Sequence, residues 1–135
     1  GVHVWIDGPA GPIAHGALVR RSLRIGTQPT DVGYVEPVAT LPGHRRQGHG
    51  TAILRRLGEL IRYRHDFGFL STGSPQFHEP LGWERWRGAT YVQSREGRQR
   101  TPEDDDSVMI LRTPHSPPVD LTTDLIAGWR PGDVW

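Results

Sequence analysis

The stretch from Val32 to Arg64 constrains this chain more than any other. Val32 to Thr40 reads as an extended strand with Pro37 inside it. The turn Leu41-Pro42-Gly43-His44-Arg45-Arg46-Gln47-Gly48-His49-Gly50 follows, and then Ile53, Leu54, Leu57, Leu60 and Ile61 recur at i, i+1, i+4, i+7 and i+8. That spacing, with Arg55, Arg56, Glu59, Arg62 and Arg64 between, predicts an amphipathic helix over Thr51 to Arg64. A proline cannot donate to a β-ladder, so sheet pairing should open near Pro37. The pattern Arg45-x-x-Gly48-x-Gly50 sits directly ahead of the helix. Its glycines let backbone approach a ligand closely, and the helix dipole puts positive charge behind it, so the turn can cradle a pyrophosphate. Arg45 and Arg46 add forked donors. A bare Gly-x-Gly also describes a flexible turn with solvated arginines. The strand ahead, the helix behind and the opened ladder favour the phosphate reading, because an opened strand offers unpaired backbone to an extended, amide-bearing ligand.

The remaining elements fit around this unit. Val2, Val4 and Ile6 alternate with His3 and Trp5 ahead of the turn-forming residues Asp7 to Pro12, and Ala14 to Ile25 is again extended, giving a hairpin. Gly26 to Asp31 reads as a second turn. After the helix come a short buried strand at Phe67 to Leu70, a turn or two of helix at Pro75 to Leu81, a strand at Trp83 to Gln93, and a last strand at Val108 to Arg112. A Pro-rich stretch then leads to a short segment at Leu121 to Trp129. The order gives an α/β class with a mixed, mostly antiparallel sheet and one parallel crossover around the long helix.

With 135 residues, 35% hydrophobic and 23% charged, a single domain over residues 1–135 is the expectation. No apolar run reaches the roughly 18 residues of a membrane span, and no secretory signal pattern opens the chain, so a cytoplasmic protein is expected. There is no cysteine, which excludes disulfides, thiolate metal sites and cysteine nucleophiles. His44, His49 and His65 match no zinc spacing, and no metal is expected. The net charge of +1 covers an uneven distribution, with arginines crowded from Arg45 to Arg64 and acids from Glu103 to Asp106 and at Asp120, Asp124 and Asp133.

The stretch Gly33-Tyr34-Val35-Glu36-Pro37-Val38-Ala39-Thr40, followed by Arg45-Arg46-Gln47-Gly48-His49-Gly50, resembles the acetyl-CoA motif of the GNAT superfamily, specifically that of the aminoglycoside 2′-N-acetyltransferases. Leu70-Ser71, Phe77, Gly82-Trp83-x-x-Trp86-x-Gly88, Arg100-Thr101-Pro102-Glu103-Asp104-Asp105 and the terminal Trp129-Arg130-Pro131-Gly132-Asp133-Val134-Trp135 are similar to later landmarks of that family, in the same order. The resemblance implies a GNAT fold, an acetyl-CoA co-substrate, direct transfer of acetyl to an amino-sugar amine, aminoglycoside resistance, and a homodimer. It further implies that Val38, Ala39 and Thr40 hold the acetyl and pantetheine units, with the Val38 N–H at the developing oxyanion, and that Arg45, Arg46, Gln47, Gly48, His49 and Gly50 hold the pyrophosphate. Glu36 would take the amine proton, and Glu36, Ser71, Asp104, Asp133 and the Trp135 carboxylate would receive the polycationic acceptor. For Asp105 and Asp106 a solvated turn is expected, and for at least two of Trp83, Trp86 and Trp129, core packing.

The sequence departs from the family in two places. Where the family has a Phe-Tyr pair whose tyrosine protonates the departing thiolate, this chain has Phe77-His78 on a slightly shorter loop; His78 can serve as the acid, or the loop can turn it outward. The family also has a strand and helices ahead of the segment matching Val2 to Ile6. Their absence here leaves a fragment, a naturally short enzyme or a contribution from another subunit as readings. Two other functions compete with the aminoglycoside enzyme: acetylation of a different amine or peptide, and a non-catalytic acyl-CoA-binding module. Nucleic-acid binding is disfavoured because the glycine turn already accounts for the basic residues.

Overall fold

A computed structural model describes residues 1–135. In chain order the elements are β1 (Val2–Gly8), β2 (Gly11–Ile25), β3 (Gln28–Thr40), α1 (His49–Arg64), β4 (Phe67–Ser71), α2 (Pro75–His78), β5 (Glu84–Arg85), β6 (Thr90–Ser94), β7 (Gly97–Arg100), β8 (Val108–Arg112) and β9 (Leu125–Gly128). Short 3-10 turns lie at Pro42–His44, Glu79–Leu81 and Pro102–Asp104. All nine strands form one sheet in the order β5-β8-β4-β3-β2-β9-β6-β7, with β1 also paired to β2. The β3–β4 pair is parallel, as the crossover through α1 requires, and β6–β9 is the second parallel pair. No helix is long and apolar enough to cross a membrane.

Helix α1 lies on one face of the sheet. Its residues Ile53, Leu54, Leu57, Leu60 and Ile61 are buried against Ala14, Leu18, Val35, Leu70, Met109 and Leu111. Val2, Val4 and Ile6 pack on the same cluster, so the alternation read in β1 is the signature of this face. The opposite face carries a second cluster built on Leu23, Val32, Tyr34, Phe67, Phe69, Trp86, Ile110 and Leu125. Burying each Leu, Ile or Phe contributes about 2 kcal/mol of gross hydrophobic stabilisation, so the two clusters account for the fold on both sides of one sheet.

Four sequence expectations change. Val108 to Arg112 is not the last strand: β9 follows it inside the segment Leu121 to Trp129, pairs with β2 and runs parallel to β6, and β7 is a further strand with no apolar alternation to mark it. The hairpin turn after β2 is two residues, Gly26-Thr27, and β3 starts at Gln28, four residues earlier than the apolar pattern suggests, because Gln28 to Asp31, exposed except for the half-buried Thr30, keep pairing with β2. His49 and Gly50 are the first turn of α1 rather than part of the loop. Trp83 to Gln93 is two strands, not one. Between β5 and β6 the chain turns at Arg87-Gly88, whose amides both donate to the Leu121 carbonyl (2.8 and 3.0 Å). A Cβ on Gly88 would lie 1.9 Å from the Thr123 carbonyl oxygen, so only glycine admits this approach.

Candidate active site

The β3 ladder breaks on both sides of Pro37. Toward β2, Ala17 pairs with Glu36 and His15 with Ala39, so Gly16 alone faces Pro37 and Val38 across a bulge. Toward β4, pairing covers only Gly33↔Gly68 and Tyr34↔Phe69. Beyond those residues the strands diverge and leave a cleft of about 730 Å³ lined by Glu36, Val38, Thr40, Gly50, Ser71 and His78, among others. The expectation that pairing opens at Pro37 is met, and the opened edge of Val35 to Thr40 forms one wall of the cleft.

The glycine turn adjoins that cleft through Gly50, in the first turn of α1. Gly48 sits at φ +79° as the residue preceding α1, a left-handed conformation that glycine adopts freely, and no side chain caps the first turn of the helix. Arg46 holds φ +63°, the single non-glycine residue at positive φ, where an L side chain is strained. A Cβ added to Gly43, Gly48 or Gly50 would meet nothing within 4 Å, so the turn presents open, uncapped backbone with Arg45, Arg46 and Gln47 exposed around it. Arg45 Nε donates to the Thr40 carbonyl at 3.4 Å, and His49 Nε2 lies 3.1 Å from Gln47 Oε1. This donor set fits a pyrophosphate.

His78 ends α2 and lines the cleft, so the shorter loop does not turn it outward. Its Nδ1 lies 3.1 Å from the Ser74 carbonyl, which can only accept, so Nδ1 carries a proton and Nε2 is left for the cavity. Ser71, at the end of β4, borders the cleft and two further cavities. One, of about 380 Å³, is lined by Tyr34, Glu36, Pro37, Ser71, Arg130, Asp133 and Trp135, among others. The other, of about 660 Å³, adds Glu103, Asp104 and Arg100. Glu36, Pro37 and Ser71 thus stand where the cleft of the glycine turn meets a cavity lined with acids.

Three comparisons with known proteins bear on this arrangement. The family model described as Acetyltransferase (GNAT) domain matches residues 3–86. The aminoglycoside 2′-N-acetyltransferase of Mycolicibacterium fortuitum is 34% identical over 139 aligned residues, which cover 100% of this chain and 71% of that protein. The chain belongs to the GNAT acetyltransferase family. The class of reaction is therefore acetyl-CoA-dependent N-acetyl transfer. Among solved structures, a GNAT family N-acetyltransferase (YhbS) from Escherichia coli in complex with CoA superposes with a TM-score of 0.64 at 12% identity, over 92% of this chain and 65% of that one. A GCN5-related N-acetyltransferase from Kribbella flavida gives 0.57 at 17% identity, over 64% of this chain and 23% of that one. The chain spans less than two thirds of either structure, and at those identities the likeness concerns the fold.

The GNAT domain contains site features that its sequence does not announce. Glu36 is ion-paired: Arg130 Nη1 donates to Oε1 at 2.7 Å and Nη2 to Oε2 at 3.5 Å, while Arg130 Nε donates to the Asp133 carbonyl at 2.8 Å. Arg130 and Arg21 both lie over the Tyr34 ring, 5.4 and 4.6 Å from its centroid. Burial, then the charge of Arg130, lowers the Arg21 pKa, and burial raises that of Tyr34. Asp105 is not a solvated turn residue. Its carboxylate accepts from Thr90 N (2.9 Å), Thr90 Oγ1 (2.8 Å) and both terminal nitrogens of Arg100 (2.8 Å each), which hold its pKa well below the usual carboxylate range. Asp104 is pushed the other way, by burial first and then by Glu103, Asp133 and Asp105. None of the intramolecular ion pairs uses Asp104, Asp133 or the terminal carboxylate. Trp135 is buried, with its indole Nε1 donating to Thr101 Oγ1 at 3.2 Å, which brings the chain end to the acid-lined cavity. Trp83 and Trp86 are core residues, whereas Trp129 is 62% exposed.

Proposed function

We propose that this domain transfers acetyl from acetyl-CoA directly to the 2′-amine of an aminoglycoside. The observation that carries this reading is the junction at Glu36, Pro37 and Ser71, with an uncapped glycine turn at one end and carboxylates lacking internal partners at the other. A polycation needs clustered acid, and the raised Asp104 pKa marks a carboxylate that would gain from an incoming ammonium.

Acetyl-CoA supplies an activated acetyl group as a thioester. Arg45, Arg46 and the backbone from Gln47 to Gly50 hold the pyrophosphate, and the opened edge at Val38, Ala39 and Thr40 holds the amide-bearing arm. The Val38 N–H is offered to the thioester oxygen, where negative charge develops as the amine attacks. Glu36 takes the amine proton, directly or through water, because an ammonium has no lone pair with which to attack. As the N–C bond forms and the C–S bond breaks, the nitrogen releases its second proton to solvent, and His78 in its cationic form gives the Nε2 proton to the departing sulfur while Nδ1 keeps its proton on the Ser74 carbonyl. Asp104, Asp133 and the Trp135 carboxylate hold the remaining ammonium groups.

A second reading has one observation of its own: Glu36 is already paired to Arg130, as expected of a non-catalytic acyl-CoA-binding module. Release of free CoA thiol separates the two, measured with tobramycin, gentamicin, kasugamycin and spermidine as acceptors. Turnover on a 2′-amine-bearing antibiotic, lost in Glu36→Gln, supports the enzyme; turnover confined to spermidine redirects it to another amine. Acetyl-CoA binding without turnover on any acceptor supports the module.

A further inference from the structure

We propose that Arg130 is the positioning residue of the acceptor site, fixing the Glu36 carboxylate and the C-terminal turn in one arrangement; this rests on the acetyl-transfer reading above. The guanidinium spends its planar fork on two targets. One terminal nitrogen meets Glu36 Oε1 at 2.7 Å while Nε meets the Asp133 carbonyl at 2.8 Å. Its face lies over Tyr34, which belongs to the second core cluster, so the group is seated on rigid sheet rather than on a loop. The Arg130 and Glu36 side chains are 28% and 26% exposed. At that exposure the Coulombic attraction is partly screened, and what the pair supplies is geometry more than stability. A chain end carrying Asp133 and Trp135 has no strand pairing of its own beyond β9, so this clamp joins it to the residue that takes the proton.

The clamp also sorts the acceptor's charges. A guanidinium fixed beside Glu36 disfavours an ammonium at that point, whereas Asp104 and Asp133 attract ammonium groups further along the cavity. The amine nearest Glu36 therefore loses its proton more readily than the others. The charged and titratable groups facing this point are Arg21, Tyr34, Glu36, Arg130 and Asp133, with His78 across the cleft.

The test uses the full chain and the variants Arg130→Gln and Arg130→Lys. With an acceptor that the unmodified protein turns over, Arg130→Gln should lower kcat and raise acceptor KM by about tenfold each, with acetyl-CoA KM within about twofold. The acid limb of its kcat/KM profile should move to higher pH. Lysine keeps the charge but cannot reach both targets, so Arg130→Lys should restore the pH profile more than kcat. Values of kcat and acceptor KM within about twofold of the unmodified protein overturn the proposal, as does an equal rise in both KM values with a lowered melting temperature, the mark of a merely structural residue. A further measurement needs no turnover. The Trp135 indole N–H resonance, assigned by its loss in Trp135→Phe, should shift in Arg130→Gln, and an unmoved resonance overturns the clamp. If no acceptor is turned over by the unmodified protein, the acetyl-transfer reading fails, and this resonance alone decides whether Arg130 holds the tail.

Discussion

Asp105 and Asp104 are neighbours with opposite fates, and neither fate is written in the run Glu103-Asp104-Asp105-Asp106. Asp105 satisfies the amide and hydroxyl of Thr90, which is fully buried, and it anchors Arg100. Its removal would orphan the buried Thr90 N–H, so Asp105→Ala should cost about 2 kcal/mol, read by chemical denaturation. Because its pKa is lower in the folded chain than in the unfolded one, that contribution is present above the ordinary carboxylate pKa and fades as pH falls toward the depressed value. The gap between Asp105→Ala and the unmodified protein should therefore narrow in strong acid, and a constant gap would deny the assignment. Asp104 runs the other way: its raised pKa means that stability is lost as pH rises through the folded value. Asp104→Asn should therefore melt no lower than the unmodified protein at neutral pH while acceptor KM increases. A lower melting temperature with unchanged KM would make Asp104 a structural residue. His78 is tested by a paired substitution. If it is the acid, His78→Phe lowers kcat about a hundredfold at unchanged acetyl-CoA KM. His78→Tyr supplies the hydroxyl that the family resemblance implies at this place, and should recover part of the loss.

Elements with a strong local signature were legible, and those set by distant partners were not. Helix α1 announces itself by five apolar positions, and the break in β3 by Pro37, because both are local properties of backbone and side-chain spacing. The junction of β5 and β6 gives no such sign. Trp86 donates through Nε1 to the Thr123 carbonyl at 2.9 Å, and Gly88 is held at Leu121, so a segment more than thirty residues later cuts what would otherwise be one strand. The Arg130–Glu36 pair is hidden for the same reason, since 94 residues separate its partners. The glycine turn is the element where conformation and ligand binding can be pulled apart. A Cβ at Gly48 has open space around it but sits at φ +79°, so Gly48→Ala should cost only about 1 kcal/mol in stability, all of it backbone strain. The same substitution places a methyl group on the surface that the proposed function assigns to the pyrophosphate. Acetyl-CoA KM should rise several-fold with acceptor KM unchanged; equal changes in both would mean that the turn shapes the fold rather than the phosphate cradle.

On the scale of the whole molecule, a net charge of +1 covers a basic turn and an acid-lined cavity, which the proposed function assigns to ligands of opposite sign. Arg45 and Arg46 stand at the glycine turn, Asp104 and Asp133 at the acid-lined cavity, and the sheet opening between β3 and β4, at Pro37 and Ser71, lies between them. In the proposed function the two charges serve best apart, because arginines beside the acceptor would repel a polycation and carboxylates beside the turn would repel a pyrophosphate. The distance is bridged by one compensated pair, Arg130 with Glu36, so the reacting point is close to neutral while both flanks are charged. Salt tests this division. Screening at an ionic strength of about 0.5 M shortens the Debye length to about 4 Å and should weaken both ligands, raising the KM of acetyl-CoA and of a polycationic acceptor. A monoamine acceptor meets only the neutral junction, so its KM should hardly respond. Kinetics across a salt series, with a multiply charged aminoglycoside and a simple amino sugar as paired acceptors, would separate the cases. Equal salt dependence for the two acceptors would mean that the carboxylates of the C-terminal cavity do not read acceptor charge, and the aminoglycoside would then lose its advantage over other amines as the substrate.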